Sequence, residues 1–275
     1  MLGVSLCGFL IFYMVPFLVS LIYALVNDPV RMDFVGVRNF VGLFRNEYFM
    51  RGLKNTLFFM IVSIPVGMVL SLLIAILVNK KTKWNEWFSF IFLIPLVIPS
   101  AATAFFWQNF FAKQGVFNHF LSLFGIEGAD WVQSQYGMFI MIGIFLWKNV
   151  GYNMALFISG LNSIPAEYYE CASAEGAGKW WKFRKITWVY LTPTTFFVLI
   201  MSFVNSFKIF KEIYIMTGEY PPKQLYLLQH YMNHMFQSLN YPKLVSSVYI
   251  LTIMIVLFVL CIFRIENHMS KSLSY

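Results

Sequence analysis

Lys148 stands inside an otherwise apolar run, Tyr136 to about Ser159, with Trp147, Asn149 and Asn153 beside it. A second polar group, Asn205, Ser206, Lys208, Lys211 and Glu212, lies toward the far end of another apolar run. A charged side chain at mid-bilayer costs roughly 2.5–3.5 kcal/mol on insertion scales, so such residues face a bundle interior or a water-filled path. For Lys148 the climb to water is long. It either faces a cavity or bonds a neighbouring helix. Lys208, Lys211 and Glu212 have another option, because Lys208 is about 22 Å along a helix starting at Pro193 and can snorkel to the far interface.

No catalytic or metal-binding constellation accompanies these groups. Gly178-Lys179 fails as a phosphate loop: the position five before Gly178 is Ser173, and Trp180 follows the lysine. His230 and His234 have the i,i+4 spacing of helical metal ligands, but no Glu follows His230, and a solvated loop helix is expected instead. Cys7, Cys171 and Cys261 form neither a metal-spaced pair nor a disulfide framework. We expect no catalytic residue, no metal and no cofactor of the chain's own.

The elements that must position the polar groups follow from composition. The chain is 59% hydrophobic and 12% charged, against about 25% charged in soluble domains, which places it in lipid. The net charge of +8 does not point to nucleic acid, because the basic residues sit in short segments beside apolar runs. Runs of about 20 apolar residues predict six membrane helices in one domain, at about 2–26, 56–78, 87–111, 136–159, 193–216 and 244–263. Pro16 is expected to kink the first, and Pro95 and Pro99 to bend the third. Ser71 and Ala75 have a small-xxx-small spacing that permits close helix approach. Between the first two runs, Phe40, Leu43, Phe44 and Tyr48 predict a short amphipathic helix at the interface.

Residues 160–192 form a long polar, charged segment between the fourth and fifth runs. Ala166 to Glu175 is rich in Ala and Glu and predicts a helix. Pro165 suits its start, and Gly176 and Gly178 permit a turn after it. A basic, aromatic stretch follows, in which Lys182, Arg184 and Lys185 suit anionic headgroups.

Glu170-Cys171-Ala172, then Gly176, then Ile186 resemble the EAA loop of binding-protein-dependent ABC importer permeases. FVGVRNF (34–40), NTLFF (55–59), IPLVIPS (94–100) and WKNVGYNM (147–154) resemble the carbohydrate-uptake branch, which includes maltose-type and glycerol-3-phosphate-type permeases. Three departures stand out: Cys171 replaces an Ala, Trp188-Val189 occupy the Leu-Pro positions, and Thr217-Gly218-Glu219-Tyr220-Pro221 replaces a glycine-rich turn. The resemblance implies an all-α integral membrane protein with the type I ABC importer permease fold and a cytosolic EAA coupling helix. It implies pairing with a second homologous permease, docking on a cytosolic ATPase dimer that holds ATP and Mg, and delivery of solute by an extracytoplasmic binding protein. Glu170, with Cys171, Ala172, Gly176, Tyr168 and Tyr169, would form the ATPase-coupling surface. If the solute is a sugar, Lys148, Asn153, Asn205, Phe207 and Lys208 are candidate pathway residues, offering hydroxyl partners and a ring face. Glycerol phosphate or another small polar solute is the alternative, and an ATP-independent channel or secondary transporter a remote one. The resemblance places both termini in the cytoplasm of a prokaryotic cell. The positive-inside rule leans the same way, chiefly through Lys80, Lys81 and Lys83.

Overall fold

The computed structural model describes residues 2–79 and 83–273, which are helical except for turns, loops and one isolated antiparallel bridge between Val26 and Phe34. Lys80 and Lys81 lie outside the described residues. In chain order the helices are α1 (Gly3–Leu25), α2 (Arg38–Phe44), α3 (Glu47–Val78), α4 (Lys83–Val97), α5 (Ser100–Phe111), α6 (Val116–Ser122), α7 (Gly137–Asn162), α8 (Ala166–Ala174), α9 (Trp188–Ser206), α10 (Ile209–Thr217), α11 (Leu228–Gln237) and α12 (Tyr241–Leu273). Among the described residues, five helical stretches are long and apolar enough to cross a membrane; the bent pair Phe90–Val97 and Ser100–Ser122 makes a sixth if it is one span. The chain reads as one domain in sequence, but its residues gather into two compact units. One comprises Met1–Thr56 and Tyr226–Val259, the other Leu57–Leu225 and Leu260–Tyr275.

In the first unit, Pro16 does not break α1. Leu10–Met14 widens into a π turn, with the Val15 N–H bonded five residues back to the Leu10 carbonyl. Such a turn absorbs a residue that cannot donate and whose ring crowds the preceding turn. Helix α2 ends at Phe44, so Tyr48 belongs to α3; Leu43 is buried and Phe40 packs beside it, while Phe44 and Tyr48 are exposed. The second span starts earlier than the apolar run suggests. Asn46 Oδ1 accepts the Phe49 N–H at 3.0 Å, capping α3, and Glu47 suits the positive end of the helix. A core of Leu43, Phe49, Leu53, Tyr226, Leu228, Tyr231 and Ile250 gathers α2, the start of α3, α11 and α12.

Polar side chains tie this unit's backbone ends. Asn39 Nδ2 donates to the Ala24 and Val26 carbonyls at 2.9 and 2.8 Å, satisfying acceptors left open where α1 stops. Asn55 Nδ2 donates to Tyr226 O, and Thr56 Oγ1 accepts the Leu228 N–H at 3.0 Å. His230 departs from the expected solvated position: it is fully buried, and its Nδ1 accepts the Leu227 N–H at 3.0 Å. Burial, with His234 nearby, pushes its pKa down to about 4, which keeps that nitrogen an acceptor at neutral pH.

In the second unit, α7 is the central helix, buried along Met141, Ile144, Phe145, Met154 and Phe157. Lipid is as apolar as leucine, so packing inside a membrane depends on close fit. Ser71 and Ala75 are fully buried. The Ser71 hydroxyl lies 2.7 Å from Gly67 O and 3.0 Å from Val150 O on α7, and Ala75 packs with Met154, Phe157 and Val198. The bend expected at Pro95 and Pro99 is a full break: α4 and α5 diverge by 100°. Pro99 is the N-cap of α5, in extended backbone, and the residue before a proline is itself pushed away from helix. Pro193 does not open a helix; it lies within α9, which starts at Trp188.

Candidate functional site

The polar groups singled out in sequence meet beside one helix break and one tightened helical turn. Between Val97 and Ser100 the chain turns from α4 to α5, whereas Phe207 and Lys208 keep helical dihedrals and only tighten one turn between α9 and α10, within a continuous helical path from Lys179 to Thr217. Non-helical backbone is tolerated at membrane depth only inside protein or beside a water-filled cavity. The break and the tightened turn both border a cavity of about 310 Å³, whose lining includes Ser100, Lys148, Asn149, Asn205, Lys208 and Glu212. That volume lies at the lower end of the range for small-molecule sites.

An ion pair crosses this region. Lys148 Nζ donates to Glu212 Oε1 at 2.7 Å and reaches Ser100 Oγ at 3.4 Å, with the two charged side chains only 14% and 3% exposed. The two readings open for Lys148 are therefore both realised: it lines the cavity and it bonds a neighbouring helix. Glu212 does not snorkel; it is buried against Lys148. Lys208 Nζ donates to Asn205 Oδ1 at 2.8 Å and is exposed, as is Lys211. Gln108 Nε2 donates to Met216 O at 3.0 Å, fastening α5 to α10.

The structure brings together three of the five candidate pathway residues: Lys148, Asn205 and Lys208. Asn153 is elsewhere, donating to Ser202 Oγ at 2.8 Å between α7 and α9. Phe207 packs edge-on against Phe203 at 5.3 Å and is not part of the lining. Glu212, Lys211 and Ser100 were not among the candidates. Glu212 had a signal: it is the one acidic residue within the six apolar runs, and a buried charge calls for an opposite partner.

The polar segment after α7 has its own geometry. Helix α8 follows its N-cap, Pro165, and is closed by a left-handed Gly176, φ +78°. Gly176 N–H bonds Ser173 O at 3.0 Å and Ala177 N–H bonds Ala172 O at 2.8 Å, the paired bonds of a Schellman ending. Ala172 is buried with Ile164 and Ile186, and Tyr169 and Ala177 pack around them. Tyr169 OH pairs with Thr187 Oγ1 at 2.9 Å, and Lys182 Nζ donates to Ser173 Oγ at 2.9 Å. Lys182 thus ties α8 to residues 179–187, whereas Arg184 and Lys185 stay exposed. Tyr168 stacks on Tyr190 at 5.1 Å. Of the six candidate coupling residues, Glu170, Cys171, Tyr168 and Gly176 are on the open surface, while Ala172 and Tyr169 turn inward. Where the EAA pattern has Leu-Pro, Trp188-Val189 lets the helical path continue from the π turn Phe183–Thr187 into α9. Replacing Gly176 with valine is expected to loosen α8 without unfolding the chain, since a β-branched residue at positive φ is strained by about 1–2 kcal/mol. Faster hydrogen exchange confined to 166–177 would register it.

The family model described as binding-protein-dependent transport system inner membrane component matches residues 67–275. The chain belongs to this family. It is 31% identical to the probable ABC transporter permease protein YesP of Bacillus subtilis (strain 168), over 95% of this chain and 87% of that protein. It is 28% identical to the arabinooligosaccharides transport system permease protein AraP of the same organism, over 90% and 82% of the two chains. Its fold is that of a chain in the crystal structure of a bacterial alginate ABC transporter in complex with an alginate pentasaccharide-bound periplasmic protein. There the TM-score is 0.85 at 22% identity, over 98% of this chain and 94% of that one. This permease is therefore a membrane-embedded transport subunit with the ABC importer permease fold.

Proposed function

We propose that this permease carries a sugar or oligosaccharide, as half of the translocation path of an ATP-driven, binding-protein-dependent importer. The observation that carries the reading is the cavity beside the helix break at Pro99, lined by Ser100, Lys148, Asn205 and Lys208 within an apolar bundle. Such groups offer donors and acceptors to hydroxyls in a region that otherwise offers none. The named solutes of AraP and of the alginate transporter support an oligosaccharide.

In this reading a second permease completes the path, an extracytoplasmic binding protein delivers the solute, and α8 faces a cytosolic ATPase dimer that binds ATP and Mg. Both termini are then cytoplasmic. The exposed Glu170 carboxylate meets a basic residue of the ATPase. Force on α8 passes through Ala172, Ile164 and Ile186, and through the Tyr169–Thr187 bond, into α9. That helix is 19 residues long, about 28 Å, and its far end carries Asn205, to which Lys208 bonds. A rigid packed link suits this role better than a mobile loop, because packed interfaces shift as units.

The test is affinity purification of the tagged permease from native membranes, beside Glu170→Ala. The expected result is a second permease and an ATPase with the unaltered chain, and roughly tenfold less ATPase with the variant, the worth of one charge-assisted bond. A chain recovered alone and transporting in liposomes without ATP would overturn the importer reading.

A further inference from the structure

Resting on that importer reading, we infer that the cavity takes an anionic solute, one bearing a carboxylate or phosphate group, and that Lys208 and Lys211 bind the anion. Three lysines and one carboxylate line the cavity. Lys148 and Glu212 neutralise each other at 2.7 Å. Lys208 is held only by the neutral amide oxygen of Asn205, and neither Lys208 nor Lys211 forms an ion pair among the described residues. The lining thus keeps two uncompensated positive charges. They are three residues apart, the spacing that puts side chains on one helix face. Leu96, Val97, Ile98, Phe145 and Ile209 supply apolar walls, and low-dielectric walls concentrate the field of such charges. A neutral sugar leaves both ammonium groups with neutral partners only. An acid group gains charge-assisted bonds, about twice as strong as neutral ones. Lys148 has a second part besides lining the cavity: paired with Glu212, it positions α10 and with it Lys208 and Lys211.

The experiment uses the complete transporter, purified with its native partners, in the unaltered form and as Lys208→Gln, Lys211→Gln and the double variant. Calorimetric binding and ATP-driven uptake are measured for trigalacturonate, glucose 6-phosphate and the neutral maltotriose. The expected result is binding of trigalacturonate or glucose 6-phosphate, and not of maltotriose, weakened about tenfold by each substitution and restored by Lys208→Arg or Lys211→Arg. Whichever anion binds identifies carboxylate or phosphate as the source. Binding of maltotriose alone, anion binding indifferent to the lysines, or no anion binding would overturn the inference. The co-purified ATPase is followed in the same samples. Its presence with any of these failures overturns the anion inference alone, and its absence overturns the importer reading and the inference with it.

Discussion

Glu212→Leu alone is expected to cost about 3–5 kcal/mol of stability, the usual effect of stranding one member of a buried ion pair. The opposing charge, Lys148, is 14% exposed and would be left with Ser100 at 3.4 Å as its polar neighbour. Lys148→Met should do comparable damage by stranding the carboxylate, which is 3% exposed. The double variant is the informative one. Replacing both partners with apolar residues of similar volume removes the charges together, and such replacements are often neutral or stabilising. We therefore expect the double variant to regain thermal stability in detergent or nanodiscs while remaining defective in transport, because the cavity has lost two polar groups. Single variants that melt like the unaltered chain would show that water already reaches the pair and that it holds nothing together.

Gly151→Val is expected to prevent accumulation of the folded protein in the membrane. A Cβ at Gly151 would overlap the carbonyl of Phe92 on α4. That obstacle is backbone and cannot rotate aside, so α4 must move off α7. Overpacking of a tight core costs about 1–3 kcal/mol, and here it falls on the helix that leads into the break at Pro99. Gly151→Ala should show a smaller loss with the same pattern. Gly143 lies on the same helix with nothing within 4 Å of its would-be Cβ. Gly143→Ala should be neutral or stabilising, since glycine in a helix interior is disfavoured by about 1 kcal/mol against alanine. Quantitative membrane expression and thermal unfolding of the three variants provide the measurement, and equal behaviour at 151 and 143 would refute the close-packing account.

Some of this was legible without coordinates. Long apolar runs required helices, because a membrane offers the backbone no hydrogen-bond partners. The Ala-rich stretch after Pro165 and the glycine at 176 placed α8 and its ending within a residue or so. Their signals are local. Helix boundaries with mixed charge were less legible: α3 starts at Glu47 and α11 forms within a segment that reads as a polar loop. There a side-chain cap or a distant partner decides, as Asn46 does for α3 and Thr56 for α11.

By itself, then, the sequence determined an all-helical membrane chain with a polar helix between spans, the family it belongs to, and the short set of polar residues that had to be accounted for inside lipid. Only the tertiary structure decided what each of those residues does. It joined Lys148 to Glu212, 64 positions away, took Asn153 out of the cavity and into a bond with Ser202, and turned Ala172 inward while leaving Glu170 outside. The physical reason is range. Helix formation depends on residues a few positions apart, whereas the pairing of buried charges depends on which faces of distant helices are brought together, and periodicity alone does not specify that.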